Sequence, residues 1–295
     1  MYLQYLKTLW QFSRPHTVIG TTVSILSLQI LALERYAPSG QEICLNLAIT
    51  WLACILANIA IVGLNQIFDV PIDRINKPQL PLPAGLMTLS EAWLTVVVCT
   101  IVSLAIALYS GLFLSLTVAL SLLIGACYSL PPIRLKQYAF WSAFCIVAVR
   151  GVVINLGLFA HFTHGELPTN LVWLLTIFML GYGIVIALCK DLVDVAGDRQ
   201  FGIATFSVLW GKEVMFQRSQ QLLMALFLIA GLLSFPIISA SPLGLVLMCC
   251  IPLISLAGYQ VNIAIHQELT KFYRFIWLLF YLSYLFFPLG LLQSK

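Results

Sequence analysis

Residues 43–73 read ICLNLAITWLACILANIAIVGLNQIFDVPID, and this stretch decides the fold. Ile43–Phe68 carries no charge, and as a helix it would be roughly 39 Å long against a hydrocarbon core of about 30 Å. Such a run predicts a membrane span with length to spare, so it tilts or projects beyond the bilayer. It closes on acid: Asn65-Gln-Ile-Phe-Asp69-Val-Pro-Ile-Asp73. A second apolar run closes the same way, on Lys190-Asp191-Leu-Val-Asp194-Val-Ala-Gly-Asp198. Five of the 11 acidic residues therefore sit in two short strings at membrane-helix ends.

Similar apolar runs recur along the chain. With 61% hydrophobic and 9% charged residues and a mean hydropathy of +1.00, the composition excludes an ordinary water-soluble domain or a nucleic-acid binder. The sequence predicts an all-α integral membrane protein of about nine transmembrane helices: Thr17–Leu33, Ile43–Phe68, Ala92–Tyr109, Leu112–Leu130, Ala139–Ala160, Leu171–Cys189, Gln221–Ser239, Leu243–Ile265 and Phe272–Leu292. Only Ser110-Gly111 separates the third from the fourth, so eight spans is the alternative count.

With nine spans, Lys7, Arg14, Arg74, Lys77, Arg134, Lys136, Lys190, Arg199, Lys212, Arg218, Lys271 and Arg274 share one side. The other side holds only Arg35 and Lys295, while Arg150 lies inside a span. That asymmetry predicts a cytoplasmic N-terminus with both acid strings on the cytoplasmic face. The long connections, 69–91, 131–138, 190–220 and 266–271, fall on that side too and predict a cytoplasmic loop cap. The acid strings end the second and sixth spans, which suggests two pseudo-repeated four-helix units around a central cavity, plus a ninth helix.

Residues 1–12 show no signal-peptide pattern, and Tyr2, Tyr5, Leu6, Leu9, Trp10 and Phe12 read as an interfacial amphipathic lead-in. No Ser/Arg-rich transit extension is evident, so the expected source is prokaryotic. The eight Cys lack Cys-x-x-Cys spacing and read as small apolar residues. His161 and His164, without further ligands, do not make a metal site.

The acid strings carry the chemistry. At about 100° per residue, Asn58, Asn65, Asp69 and Asp73 fall within roughly 100° of arc, although Pro71 is expected to kink or end the helix. Asp191, Asp194 and Asp198 fall within about 60°. Two such stripes can face one another across a cavity. Carboxylates and a diphosphate repel unless a cation joins them, and Mg²⁺ takes carboxylate, phosphate and water oxygens. Coordinated metal also stabilises a diphosphate leaving group. The plainer reading pairs these Asp with Arg74, Lys77, Lys190 and Arg199 as solvated ion pairs, which leaves their position at span ends unexplained.

Tyr128-Ser-Leu-Pro-Pro-Ile-Arg134-Leu-Lys136 follows the fourth span on the same side. It offers phosphate donors or, more plainly, a positive-inside anchor. Arg14-Pro-His-Thr reads as an interfacial anchor. Arg150, with Asn155 five residues on, either holds an acceptor's carboxylate or glues helices.

These strings resemble the UbiA superfamily of intramembrane prenyltransferases, which carries two Asp-rich motifs after the second and sixth helices. The resemblance spans nearly the whole chain (residues 1–295 as a single domain). Asn65, Asp69 and Asp73 match the first motif, with Gln66 in place of its first Asp. The strings Asn65–Gly85 and Lys190–Phe206, and Arg150 with Asn155 and His161, look like the homogentisate prenyltransferase branch. Pro132 stands at the Lys of the family's Tyr-x-x-x-Lys motif, which shifts that role to Arg134 or Lys136. Val70 replaces an Arg common in 4-hydroxybenzoate and chlorophyll enzymes.

What the resemblance implies is transfer of a phytyl group from its diphosphate to homogentisate with decarboxylation, in tocopherol biosynthesis. Asn65, Asp69, Asp73, Asp191, Asp194 and Asp198 would hold Mg²⁺, with Asn65, Asp69, Asp191 and Asp198 nearest the metal. Lys77, Tyr128, Arg134, Lys136 and Lys190 would bind the diphosphate, and Arg150 and Asn155 the acceptor. The same chemistry with solanesyl diphosphate is the nearest alternative. A secondary transporter is the alternative of another class, but its polar residues would gather at mid-bilayer. The expected setting is the plasma or thylakoid membrane of a photosynthetic prokaryote.

Overall fold

The computed structural model describes residues 2–37, 39–238 and 242–293. Ser239 and Lys295, which enter the predicted spans and charge count, lie outside them. The helices run α1 (Tyr2–Phe12), α2 (Pro15–Ala32), α3 (Gly40–Asn76), α4 (Leu89–Ser110), α5 (Leu112–Ser129), α6 (Ala139–Val147), α7 (Ile154–Phe162), α8 (Asn170–Gln200), α9 (Phe206–Trp210), α10 (Lys212–Ile237), α11 (Leu243–Tyr259) and α12 (His266–Leu289). A π-helical turn, Ala148–Val153, joins α6 and α7 into one membrane-length rod.

Among the described residues, eight helices are long and apolar enough to cross a membrane, counting α6–α7 once. All coincide with predicted spans. The eighth prediction, Leu243–Ile265, is a 17-residue helix instead, because the chain leaves helix at Gln260. Gly111 separates α4 from α5 at φ +111°, a conformation that L side chains rarely adopt, so the two remain distinct helices.

Two helices outrun their predictions, and both carry an acid string. α3 has 37 residues and α8 has 31, or about 56 and 47 Å of helix. Segments 69–76 and 190–200, expected in loops, are therefore helical. The expected break at Pro71 does not occur. Pro71 is exposed on the outer face of α3, and the helix runs on through it to Asn76. Asp69 and Asp73 thus stay in helical register. The cap at this end is built from these helix ends with two loops, which Ala204 N–H ties together by donating to Gln137 O at 3.1 Å.

α8 is the central helix, with 72% of its apolar window buried; α4, α10 and the α6–α7 rod turn mostly outward, at 28% each. Its sequence is apolar on every face above Lys190, including the exposed stripe of Trp173, Ile177 and Ile184. It packs on α3, α6, α10 and α12, while α2 closes the ring between α3 and α12. α3 groups with α4 and α5, and α8 with α10. Lipid offers helices little hydrophobic drive to associate, so packing and interhelical hydrogen bonds hold them. Tyr182, fully buried on α8, donates to Ile276 O of α12 at 2.8 Å.

Candidate active site

The ends of α3 and α8 are clasped by one side chain. Asn76 donates from Nδ2 to Asp194 O and accepts at Oδ1 from Gly197 N–H, both at 2.8 Å. A Cβ on Gly197 would lie 2.6–2.8 Å from Asn76 side-chain atoms, so glycine is what lets the two helices approach. The clasp brings the two acid stripes together at one mouth of a cavity of about 240 Å³. Asn65, Asp69, Asp73, Asp194 and Asp198 line it, as do Lys77, Lys136, Lys190 and Tyr128.

The Asp are all buried, and bases meet them. Lys77 Nζ lies 2.6 Å from Asp194 Oδ2 and 3.9 Å from Asp73. Lys136 bonds Asp69 directly, and Arg134 approaches the same carboxylate at 3.3 Å. Asn65 donates to Asp69 Oδ2 at 2.8 Å. Lys190 donates to Asp191 Oδ1 at 2.7 Å and lies 3.9 Å from Asp194. Burial holds the Lys136 ammonium below the usual lysine range, while Asp69 draws it the other way.

Three residues singled out from the sequence stand off the cavity wall. Asp191 is buried beside Lys190 and is not on the cavity wall, and Asn155 spends its side chain on backbone carbonyls and Tyr284. Arg134 reaches Asp69 from behind the wall. Arg14, read from sequence as an interfacial anchor, is corrected. It lines the cavity, donates to Asn65 Oδ1 at 3.2 Å and lies 3.8 Å from Asp73. Its backbone is left-handed (φ 52°), a costly conformation for a non-glycine residue. The available signal was an Arg-Pro step opening a span on the same side as the acid strings. Asn76 went unremarked because its role is set by a partner 118 residues away.

Among the described residues, no three His, Cys, Asp or Glu groups are already gathered as a metal cage. The donor set nevertheless fits a hard cation. It is made of oxygens, and Asp73 Oδ2 and Asp198 Oδ2 are buried without a hydrogen-bond partner. A buried carboxylate oxygen without a hydrogen bond is expensive, and two on one cavity wall, that of Asp73 facing only the Arg14 guanidinium at 3.8 Å, are what an incoming divalent cation satisfies.

Gln66, at the family's first Asp position, faces away from the cavity. It is fully buried and donates from Nε2 to Phe12 O at 2.7 Å, tying α1 to α3. Gln66→Ala is expected to cost about 1–3 kcal/mol of stability by orphaning that carbonyl. A thermal melt together with an unchanged KM for the diphosphate substrate checks this assignment.

Comparison with known proteins agrees with the geometry. Residues 25–286 match the UbiA prenyltransferase family. Homogentisate phytyltransferase from Synechocystis is 42% identical, over 97% of this chain and 96% of its own length. The chloroplastic homogentisate phytyltransferase 1 of Arabidopsis thaliana is 36% identical, over 96% of this chain and 75% of its own. A UbiA homologue from Archaeoglobus fulgidus, solved bound to DMAPP and Mg²⁺, shares the fold with a TM-score of 0.67 at 16% identity, covering 94% of this chain and 98% of that one. This chain belongs to the UbiA prenyltransferase family.

Proposed function

We propose that this membrane enzyme transfers a phytyl group from phytyl diphosphate to homogentisate, with loss of the acceptor's carboxylate as CO₂, in tocopherol biosynthesis. The single observation that carries the mechanism is the pair of acid stripes meeting at the mouth of one cavity whose interior turns apolar. The two relatives named above supply the substrates. The chain acts as one domain over residues 1–295, and its basic asymmetry orients the cavity mouth to the cytoplasm.

Asn65, Asp69, Asp73, Asp194 and Asp198 would hold Mg²⁺, with Asp191 acting through Lys190. The cation supplies charge neutralisation of the diphosphate and of the leaving group. Lys77, Lys136, Lys190 and Arg14 are within reach of the same mouth and bind phosphate oxygens, with Tyr128 donating beside them. Arg134 holds Asp69 in place. Ile61, Val118, Ile124 and Ile146 offer the tail a dry channel. Tyr273, Trp277, Phe280 and Tyr284 line the wall from α12, where ring faces favour an allylic cation and side-chain bulk excludes water.

Donor choice is tested by mass spectrometry of products from purified protein offered equal phytyl and solanesyl diphosphate with homogentisate. A phytylated methylquinol should dominate. Solanesylated product in excess would move the donor assignment, and no product with any acidic aromatic acceptor would overturn it.

A further inference from the structure

Arg150 sits on the π-helical turn in the middle of the α6–α7 span and lines the cavity. Among the described residues its guanidinium has no carboxylate partner and donates no hydrogen bond. A charge at that depth normally pairs with something. Here it lies against two rings instead, 4.7 Å from the Trp277 centroid and 5.7 Å from that of Phe280. Ring faces offset part of the desolvation of a cation and leave the N–H edges of the planar group free to take an anion.

The turn is held in place deliberately. Asn155 Nδ2 donates to Arg150 O at 3.1 Å and Gly151 O at 2.8 Å, and Asn155 Oδ1 accepts from Tyr284 O–H at 2.8 Å. Tyr284 shares α12 with Trp277 and Phe280, so one helix fixes both the turn and the rings beneath the guanidinium. Side chains of α2 and α12 lie between this point and the acid mouth on the same cavity wall. Arg14 lies 3.8 Å from Asp73, and two residues on, the His16 ring stands 4.9 Å from Trp277. Arg14, His16, Trp277 and Arg150 all line the same cavity.

We infer that Arg150 binds the carboxylate of the aromatic acceptor, with Asn155 and Tyr284 as positioning residues. This rests on the homogentisate reading above. The carboxylate takes the guanidinium edge, and the ring lies toward the diphosphate end of the cavity. The donor's diphosphate and the acceptor's acid are thus recognised at opposite ends of one chamber.

The test compares homogentisate with its methyl ester, which keeps the ring but carries no charge, the ester assayed as a competitive inhibitor. Wild-type enzyme should bind the acid at least about tenfold better than the ester. Arg150→Gln should raise the KM for homogentisate by at least about tenfold, abolish the acid–ester difference and leave the KM for the prenyl diphosphate unchanged. Arg150→Lys should restore part of the loss. Tyr284→Phe, which keeps the charge and removes only the bond to Asn155, should raise the homogentisate KM several-fold at constant donor KM.

Equal binding of acid and ester by wild type would overturn the assignment, as would an Arg150→Gln enzyme that keeps the difference or loses donor affinity in step. In those cases continued homogentisate turnover leaves the proposed function standing. Wild-type turnover of neutral aromatic acceptors alone would overturn that function itself.

Discussion

Asp198→Asn is expected to cut turnover about a thousandfold while leaving the protein as heat-stable as before, or more so. The buried Asp198 carboxylate has one oxygen without a hydrogen-bond partner. Removing that charge while preserving shape relieves an unpaired buried group, so folding loses nothing. Function would lose the cavity-wall oxygen proposed to bind the cation. A side chain whose replacement helps stability and destroys activity is one retained for chemistry. The second half of the prediction concerns Mg²⁺. A cation that binds only the folded protein raises its stability by about 2.7 kcal/mol at a hundred times its Kd. Wild type should show such an upward shift in Tm, and Asp198→Asn should show much less of it. A variant that melts early, or retains more than a tenth of wild-type activity, would contradict this role for Asp198.

Gly197→Ala should damage both stability and activity from a position with no chemistry of its own. The added methyl meets the Asn76 side chain at 2.6–2.8 Å, far inside van der Waals contact. Asn76 must move, releasing Gly197 N–H and Asp194 O. Overpacking of this kind costs about 1–3 kcal/mol, and each lost hydrogen bond adds about 0.5–1.5 kcal/mol. The larger consequence is geometric. α3 and α8 carry one acid stripe each, and a shift of about 1 Å in a reacting geometry can cost roughly a hundredfold in rate. Asn76→Ala in the Gly197→Ala background makes room for the methyl. The double variant should therefore be no worse than the single one, a non-additivity that kcat/KM and Tm both report. Independent, additive losses would mean that Asn76 and Gly197 do not act as one clasp.

Much of this architecture was legible in the chain. Ile43–Phe68 could only be a span, and the helical period correctly put Asn58, Asn65, Asp69 and Asp73 on one cavity wall. Three features were hidden for physical reasons. Pro71 argued for a break, but its ring sits on the exposed face of a helix well packed on its inner one, and the helix continues through it. Arg14 could not be aimed from sequence, because a left-handed residue at a helix start turns its side chain away from the expected direction. Asn155 could not be placed either. A π turn shifts the register by a residue, so Asn155 lies beneath Arg150 and bonds its carbonyl, where α-helical spacing would set the two about 140° apart. The Asp191–Lys190 pair shows the remaining limit. Periodicity grouped Asp191 with Asp194 and Asp198, but facing the cavity depends on which neighbours crowd α8, and no period encodes that.

The central claim is that two acid stripes act as one divalent-cation site for prenyl transfer with decarboxylation. Its most direct test uses purified protein, phytyl diphosphate and homogentisate labelled in the carboxyl carbon, with Mg²⁺ or with excess chelator. The account predicts one labelled CO₂ released per phytylated quinol formed when Mg²⁺ is present, and neither product with chelator. Undiminished product in chelator, or diphosphate release with Mg²⁺ but no phytylated quinol, would contradict it.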